Sequence, residues 1–456
     1  MTRRLAVRAA YFAYDLGLAL VTWGALAPLE VARLALGRAR RGALGERLAR
    51  RSPVGADAPS RWLVHAVSAG EVAAAGALIA ALRDRSRSAS FVLTTGNALG
   101  REAAEKLQRR LPEIEAVSYL PWDRRGALRR WLAALAPTAV VVVETEIWPN
   151  LFRTCQELRI PLFIINGRLY PGDGRRYGWA RAFFADVLAA TSWIGVLDAG
   201  ERDAFVRIGA PLDRTEVVGN LKFDTGAHAD QIPEPWRRAL GSSAQRPLIV
   251  AGSTHHPEER FLINAFLCLR PSFPRLRLAI APRHTRRCPR IQRLAQRRGL
   301  QTTMWSQDAQ AAAPWEVLLV DEIGPLAALF RFADVAFVGG SLVRRGGHNP
   351  LEAAAQGCPI VMGPSIEHFG DLVRGLQEAG GLVIVERPAG SSQALTVELA
   401  RLLADPGVRE STGGQALAFW QAGRGVAGRY AEVLLARCAA VIGPTHEPPH
   451  EAPRGS

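Results

Sequence analysis

A carboxylate one helical turn beyond a strand is the first group in this chain equipped for chemistry. The run WLVHAVSAGEVAAAGALIAALR carries it: a strand-forming stretch, then Ser68, Ala69, Gly70 and Glu71, then a helical stretch. Glu71 falls in the first turn of that helix, where the macrodipole favours its ionised form, and an ionised carboxylate there can take a proton from a substrate hydroxyl. The same Ser-x-x-Glu spacing is the capping-box pattern, and from spacing alone the reading that Glu71 merely closes its helix is the commoner one. A second pair of carboxylates, Glu144 and Glu146, ends the run AVVVVETEIWPN. Only one of the two is expected to face a cleft. The pair has no nearby histidine, which argues against a metal site. Lys222, in VGNLKFD, follows a further strand and can meet a carboxylate or a phosphate. INGRLYPGDGRRYGWAR gathers Arg168, Arg175, Arg176 and Arg181 around glycines, a landing site for an anionic group.

The second half offers a different set of strand exits. PLIVAGS runs into Thr254, His255, His256, Pro257 and Glu258, where adjacent histidines cannot easily ligate one metal and a capped helix start is the economical reading. LRLAIAP ends in Pro282 and leads to Arg283 and His284, an arginine placed to pair with a phosphate. EVLLVD leads to Ile323, Gly324 and Pro325. The stretch FVGGSLVRRGGHNPLEAAAQGCP lets the chain turn at Gly346 and Gly347, with Asn349 as N-cap, Pro350 as first helical residue, and Leu351 and Glu352 in the first turn. Open amides of such a turn favour a nucleotide phosphate, and Glu352 can accept hydrogen bonds from ribose hydroxyls. Together with Arg283 and Gly324 this stretch implies a nucleotide site. Arg344 and Arg345 have no assigned role.

The elements that must position these loops are short β-branched runs alternating with helical stretches. Six stand in the first half (WLVHAV, FVLTT, AVVVVE, PLFIIN, WIGVLD, TEVVGN) and six in the second (PLIVAGS, LRLAIAP, EVLLVD, VAFVGG, PIVMGP, GLVIVE). Strands apolar on both faces belong in parallel sheets covered by helices, and strict β-α alternation predicts an α/β protein of two doubly wound, Rossmann-like domains. In such sheets ligands sit at the carboxyl ends of the strands, which is where every group named above lies. The Pro-containing polar stretch 225–247 is the linker candidate.

With 456 residues the chain has room for two or three domains, and 48% hydrophobic against 22% charged residues is the balance of a folded protein. The formal charge of +15 implies an anionic partner, whereas an aromatic content of 7% with no aromatic-basic interleaving argues against nucleic acid. The five cysteines never occur as C-x-x-C, so neither a disulfide framework nor a zinc site is expected, and a reducing compartment is. Residues 1–50 join an apolar stretch to arginine on both flanks. The uncharged run 16–29 is short for a span of about 20 residues, so a monotopic or shallow anchor on anionic headgroups is expected, with Trp23 near the interface. The expected domains are 1–50 (anchor and basic flank), 51–225 (acceptor), 226–440 (donor) and a disordered tail, 441–456.

Eight motifs, HAVSAGEV, YLPWD, ETEIWPN, INGRLY, VGNLKFD, GSTHHPEE, APRH and SLVRRGGHNPLEAAAQGCPIVMGP, occur in an order that resembles the Kdo (3-deoxy-D-manno-oct-2-ulosonic acid) transferases, glycosyltransferases of the GT-B fold in which two Rossmann-like domains face a cleft. The resemblance covers about Trp62 to the helix after Glu386 and includes the apolar N-terminus. It implies metal-independent, inverting transfer of Kdo from CMP-Kdo to a lipid A precursor at the cytoplasmic face of the inner membrane, with no cofactor. It implies Glu71 as general base, Glu146 (preferred over Glu144) and Lys222 as transition-state residues, and CMP contacts from Pro282 and Arg283, from Ile323, Gly324 and Pro325, and from Asn349, Pro350, Leu351 and Glu352. The family's M-G-E turn is Ile323-Gly324-Pro325 here, and its N-F after the last G-P is His368-Phe369, so side-chain contacts at both places differ. A UDP-sugar epimerase of similar architecture and a membrane-peripheral lipid-binding protein with a degenerate nucleotide site are the alternatives. The sequence leaves open how many Kdo residues are added.

Overall fold

The central strands carry apolar residues on both faces, and each face finds its own helical layer. The computed structural model of the chain describes residues 2–37, 42–50, 52–55, 60–169, 177–178, 180–225, 232–241, 246–307, 314–386 and 392–442. It divides into two compact units, Met1–Thr225 with Gly425–Ser456, and Gly226–Arg424.

The first unit is built on a parallel sheet of β1 (Arg61–His65), β2 (Ser90–Thr95), β3 (Ile114–Tyr119), β4 (Ala139–Val143), β5 (Leu162–Gly167), β6 (Trp193–Val196) and β7 (Thr215–Val217), in the order β3-β2-β1-β4-β5-β6-β7. Trp62 and Val64 of β1 and Val141 and Val143 of β4 point into one core, shared with the helix Ala69–Arg85. Leu63, Val140 and Val142 point into the other, shared with the helix Pro149–Glu157 and with Tyr11 of the N-terminal helix. A sheet with apolar residues on both faces is stable only when both are covered, and here both are.

Two domain boundaries differ from those expected. The helix Val426–Ile442 belongs to the first unit, not the second, because Val426, Tyr430 and Leu434 complete the core beside Ala69–Arg85. Residues 1–50 do not form a separate segment either, since Val7, Ala10 and Tyr11 pack into the core of the first unit. The uncharged run 16–29 also understates the apolar helix. Helical structure continues from Leu5 to Ala35 through a π-helical turn at Thr22–Leu26, long and apolar enough by length and composition to cross a membrane. The expected tail falls largely on residues 443–456, outside the described residues.

The second unit holds β8 (Leu248–Thr254), β9 (Arg277–Pro282), β10 (Thr302–Met304), β11 (Val317–Leu319), β12 (Val335–Val338), β13 (Ile360–Met362) and β14 (Leu382–Ile384), all parallel, in the order β10-β11-β9-β8-β12-β13-β14. Each sheet has seven strands where six were read. The two that escaped, β3 and β10, are edge strands: β3 has an exposed and a half-buried residue after its first, and β10 is three residues long. The strand order reverses between β1 and β4 in the first sheet and between β8 and β12 in the second, where β11 also lies inside β10 near the edge. These switch points are where open α/β sheets leave a crevice for ligands.

Candidate active site

At the first switch point the chain leaves β1 through Val67 and Ser68. Ser68 takes an extended conformation, and its Oγ accepts the Glu71 N–H at 3.3 Å. Glu71 returns two bonds, accepting the Val67 N–H at Oε2 (2.8 Å) and the Ser68 N–H at Oε1 (3.2 Å). The capping box is therefore real, and it does not exclude chemistry, because Glu71 also lines a 440 Å³ cavity. Burial pushes its carboxyl up, against the lowering effect of the Val67 and Ser68 hydrogen bonds. The helix start was expected to favour the ionised form of Glu71, and desolvation outweighs it.

The neighbouring strand, β4, delivers Glu144 and Glu146 to the same cavity. The expectation that only one would face it does not hold. Residues two apart on an extended segment share a side, and the chain turns at once: Glu144 has φ +61° and Ile147 N–H closes on Thr145 O at 3.0 Å. Glu144 is ion-paired with Lys222 (Oε1 to Nζ, 3.2 Å), both largely buried. Glu146 is pushed up to about 7, first by burial and then by the negative charge of Glu71.

Lys222 is held by a contact that sequence reasoning missed. It stands in the 3-10 turn Leu221–Asp224, whose first amide, Leu221 N–H, donates to Asn166 Oδ1 at 2.8 Å. Asn166 is fully buried in the left-handed region (φ +53°), and its own N–H donates to Tyr430 Oη. The signal was the asparagine of INGRLY, where the arginines drew notice instead. Arg181 lies away from this contact, donating to Arg207 O at 3.0 Å, while Arg175 and Arg176 fall outside the described residues.

In the second unit, Pro282 ends β9 and the exposed Arg283 follows, its N–H donating to Thr254 O at 3.0 Å. Arg283 is also the charge that opposes the upward push of burial on Glu352. Gly324 has φ +131°, a backbone open to glycine and few others, between the exposed Ile323 and Pro325. The expected start of the alanine-rich helix needs correction. Helix runs only over Leu351–Ala354, its cap residue is Pro350, and Leu351 N–H is already taken by Asn349 Oδ1 at 3.1 Å, so the row of open amides is shorter than expected. The amides at the exit of β12 are also occupied: the buried Glu258 accepts from Gly340, Ser341 and Leu342 and from His255.

Glu258 thereby brings two loops together in a way the sequence did not disclose. His255 and His348 meet Nε2 to Nε2 at 2.9 Å with their rings 5° from coplanar, so one ring donates and the other accepts. Both are held down to about 4, by burial and by nearby positive groups that include Arg283. Arg344 and Arg345 are exposed and line an open depression with Gly346, Glu367 and His368. Among the described residues no group of three or more His, Cys, Asp or Glu is placed to hold a metal ion.

Solved structures that this fold resembles include UDP-GlcNAc 2-epimerase from Neisseria meningitidis (TM-score 0.57, 15% identity, 83% of this chain and 100% of that one) and MurG from Acinetobacter baumannii (TM-score 0.52, 13% identity, 83% and 99%). At such identities they establish the GT-B architecture and nothing about substrate. Sequence relatives go further. Residues 42–225 match the family model described as 3-deoxy-D-manno-octulosonic-acid transferase (kdotransferase). The 3-deoxy-D-manno-octulosonic acid transferase of Bordetella pertussis is 33% identical over 396 residues, 84% of this chain and 88% of its own length. That of Haemophilus influenzae is 29% identical over 382 residues, 82% and 87%. An epimerase reading shares only the fold, whereas these relatives share the sequence along most of both chains: the protein belongs to the 3-deoxy-D-manno-octulosonic acid transferase family and is a glycosyltransferase of the GT-B fold.

Proposed function

We propose that this protein moves Kdo from CMP-Kdo to the sugar headgroup of a lipid A precursor, with inversion, at the cytoplasmic face of the inner membrane. The observation that carries the reading is the meeting of Glu71, Glu144 and Glu146 in one cavity, with Lys222 ion-paired to Glu144. Glu71 accepts the proton of the acceptor hydroxyl as its oxygen bonds to the anomeric carbon of Kdo. The bond from that carbon to the CMP phosphate breaks, and CMP leaves with the electron pair. Glu146, whose pKa of about 7 leaves it substantially protonated near neutrality, can donate a hydrogen bond where an ionised group would repel the donor's carboxylate. Lys222 offsets the charge of Glu144 and leaves the cavity less negative. Within the second unit, Arg283, Gly324 and the Asn349–Glu352 turn are the CMP contacts of this reading, and an exposed guanidinium suits a phosphate.

The N-terminal helix supports a monotopic attachment. Its exposed large apolar residues include Phe12, Leu16, Leu20 and Trp23, while its acids turn inward, Asp15 to Asn150 and Glu30 to Arg33 and Arg47. An apolar outer face on a chain of charge +15 fits an anionic lipid surface.

Incubating the purified protein with CMP-Kdo and the lipid A precursor and weighing the products tests the reading, with one or more added Kdo masses expected and no added mass refuting it. Glu71→Ala is expected to lower transfer by about 10²- to 10⁴-fold while CMP binding, followed by calorimetry, stays unchanged. Near-normal transfer by that variant removes Glu71 from the role of base.

A further inference from the structure

Two motifs remain without a role, YLPWD and the Asn150 of ETEIWPN, and they meet. The helix Pro149–Glu157 begins directly after the Glu144–Glu146 turn, and its cap residue Trp148 makes no side-chain capping bond. Asp123 supplies the cap from elsewhere in the chain. Only 2% exposed, it accepts Asn150 N–H at Oδ2 (2.9 Å) and Leu151 N–H at Oδ1 (2.8 Å). Oδ2 also accepts the hydroxyl of Tyr14 at 2.9 Å, and Asn150 Nδ2 donates to Asp15 Oδ1 at 2.7 Å. Tyr14 and Asp15, consecutive residues of the N-terminal helix, thus both reach the helix start that the two cavity carboxylates precede.

Tyr14 does more than brace this start. It lines the cavity that holds Glu71 and Glu146, with Phe183 and Phe184 as further aromatic walls. The opposite face of the same helix shows Phe12 and Leu16 to solvent. One helix therefore has its outer face where a lipid surface would lie and its inner face in the catalytic cavity.

We propose that Tyr14 is a binding residue for the acceptor: its ring packs against the C–H face of the pyranose headgroup of a lipid acceptor, so the attaching helix itself forms a wall of the acceptor subsite. The inference rests on the function proposed above. An aromatic ring in a cavity that also holds carboxylates suits a sugar, whose C–H face is apolar and whose hydroxyls need acceptors. The hydroxyl of Tyr14, committed to Asp123, fixes the ring's position.

The test compares two acceptors, the lipid A precursor in phospholipid vesicles and its deacylated, water-soluble disaccharide. Tyr14→Ala is expected to raise KM for both about tenfold or more and to leave KM for CMP-Kdo unchanged, since loss of one packed ring on a sugar is worth roughly a factor of ten. Tyr14→Phe, which keeps the ring, is expected to restore most of the acceptor KM. Phe12→Ser with Leu16→Ser, on the outer face, is expected to raise KM for the vesicle-borne acceptor alone. An acceptor KM within twofold of wild type in Tyr14→Ala, or a Tyr14→Phe as impaired as Tyr14→Ala, overturns the proposal while wild-type transfer still stands. A wild-type protein that transfers nothing overturns the function and this proposal together.

Discussion

Burial pushes both Glu71 and Glu146 up, and different neighbours act on each. Glu71 receives two backbone N–H groups at a helix start, while Glu146 is pushed up to about 7 by burial and by the charge of Glu71. Replacing Glu71 by Gln removes a negative neighbour and makes the ionisation of Glu146 easier. Its pKa should fall below 7, yet stay above the ordinary carboxylate range because burial remains, as read by ¹³C-detected carboxylate titration. A value that stays near 7 shows that the charge of Glu71 does not reach Glu146. The raised pKa also has a sign for stability. The folded state holds a proton on Glu146 that the unfolded chain has lost, so this contribution is fully present below the ordinary carboxylate range and disappears as pH rises through about 7.

At the scale of elements, loops at strand ends are held by caps, some local and some remote. The Ser68 cap of the helix Ala69–Arg85 lies within four residues and was legible from spacing. Ser68→Ala is expected to cost about 1 kcal/mol of unfolding free energy, measured by urea denaturation, and a loss below a few tenths means the backbone bonds to the Glu71 carboxylate carry the cap alone. The Asp123 cap of the helix Pro149–Glu157 was not legible, because its donors lie 27 and 28 residues away. β3 and β10 escaped for a different reason: a central strand announces itself by apolar residues on both faces, and an edge strand has one neighbour and needs fewer.

At the scale of the whole molecule, the chain's return to the first unit has a measurable consequence. Tyr430 is fully buried between β6 and the helix Ala69–Arg85, stands edge-on to Trp193, and its Oη accepts the Asn166 N–H that helps fix the Lys222 turn. Asp224 anchors the start of the same helix by accepting Gly425 N–H and Ala427 N–H. Tyr430→Ala should cost about 3–5 kcal/mol, the range for emptying a buried aromatic site, and the first unit should unfold at lower denaturant concentration. A loss under 1 kcal/mol indicates that the helix Val426–Ile442 is not needed for that core.

What the amino-acid sequence determined by itself is what depends on near neighbours: twelve of the strands, the Glu71 cap, the glycine turns at Gly324, Gly346 and Gly347, and the ordered motifs that carry the family. Tertiary structure alone decided which loops share a cavity. Glu71, Glu144 and Glu146 meet because β1 and β4 are neighbours where the strand order reverses, His255 meets His348 because β8 and β12 are, and Tyr14 reaches Asp123 across 109 residues. Strand order is set by the packing of whole layers, and no local spacing along the chain encodes it.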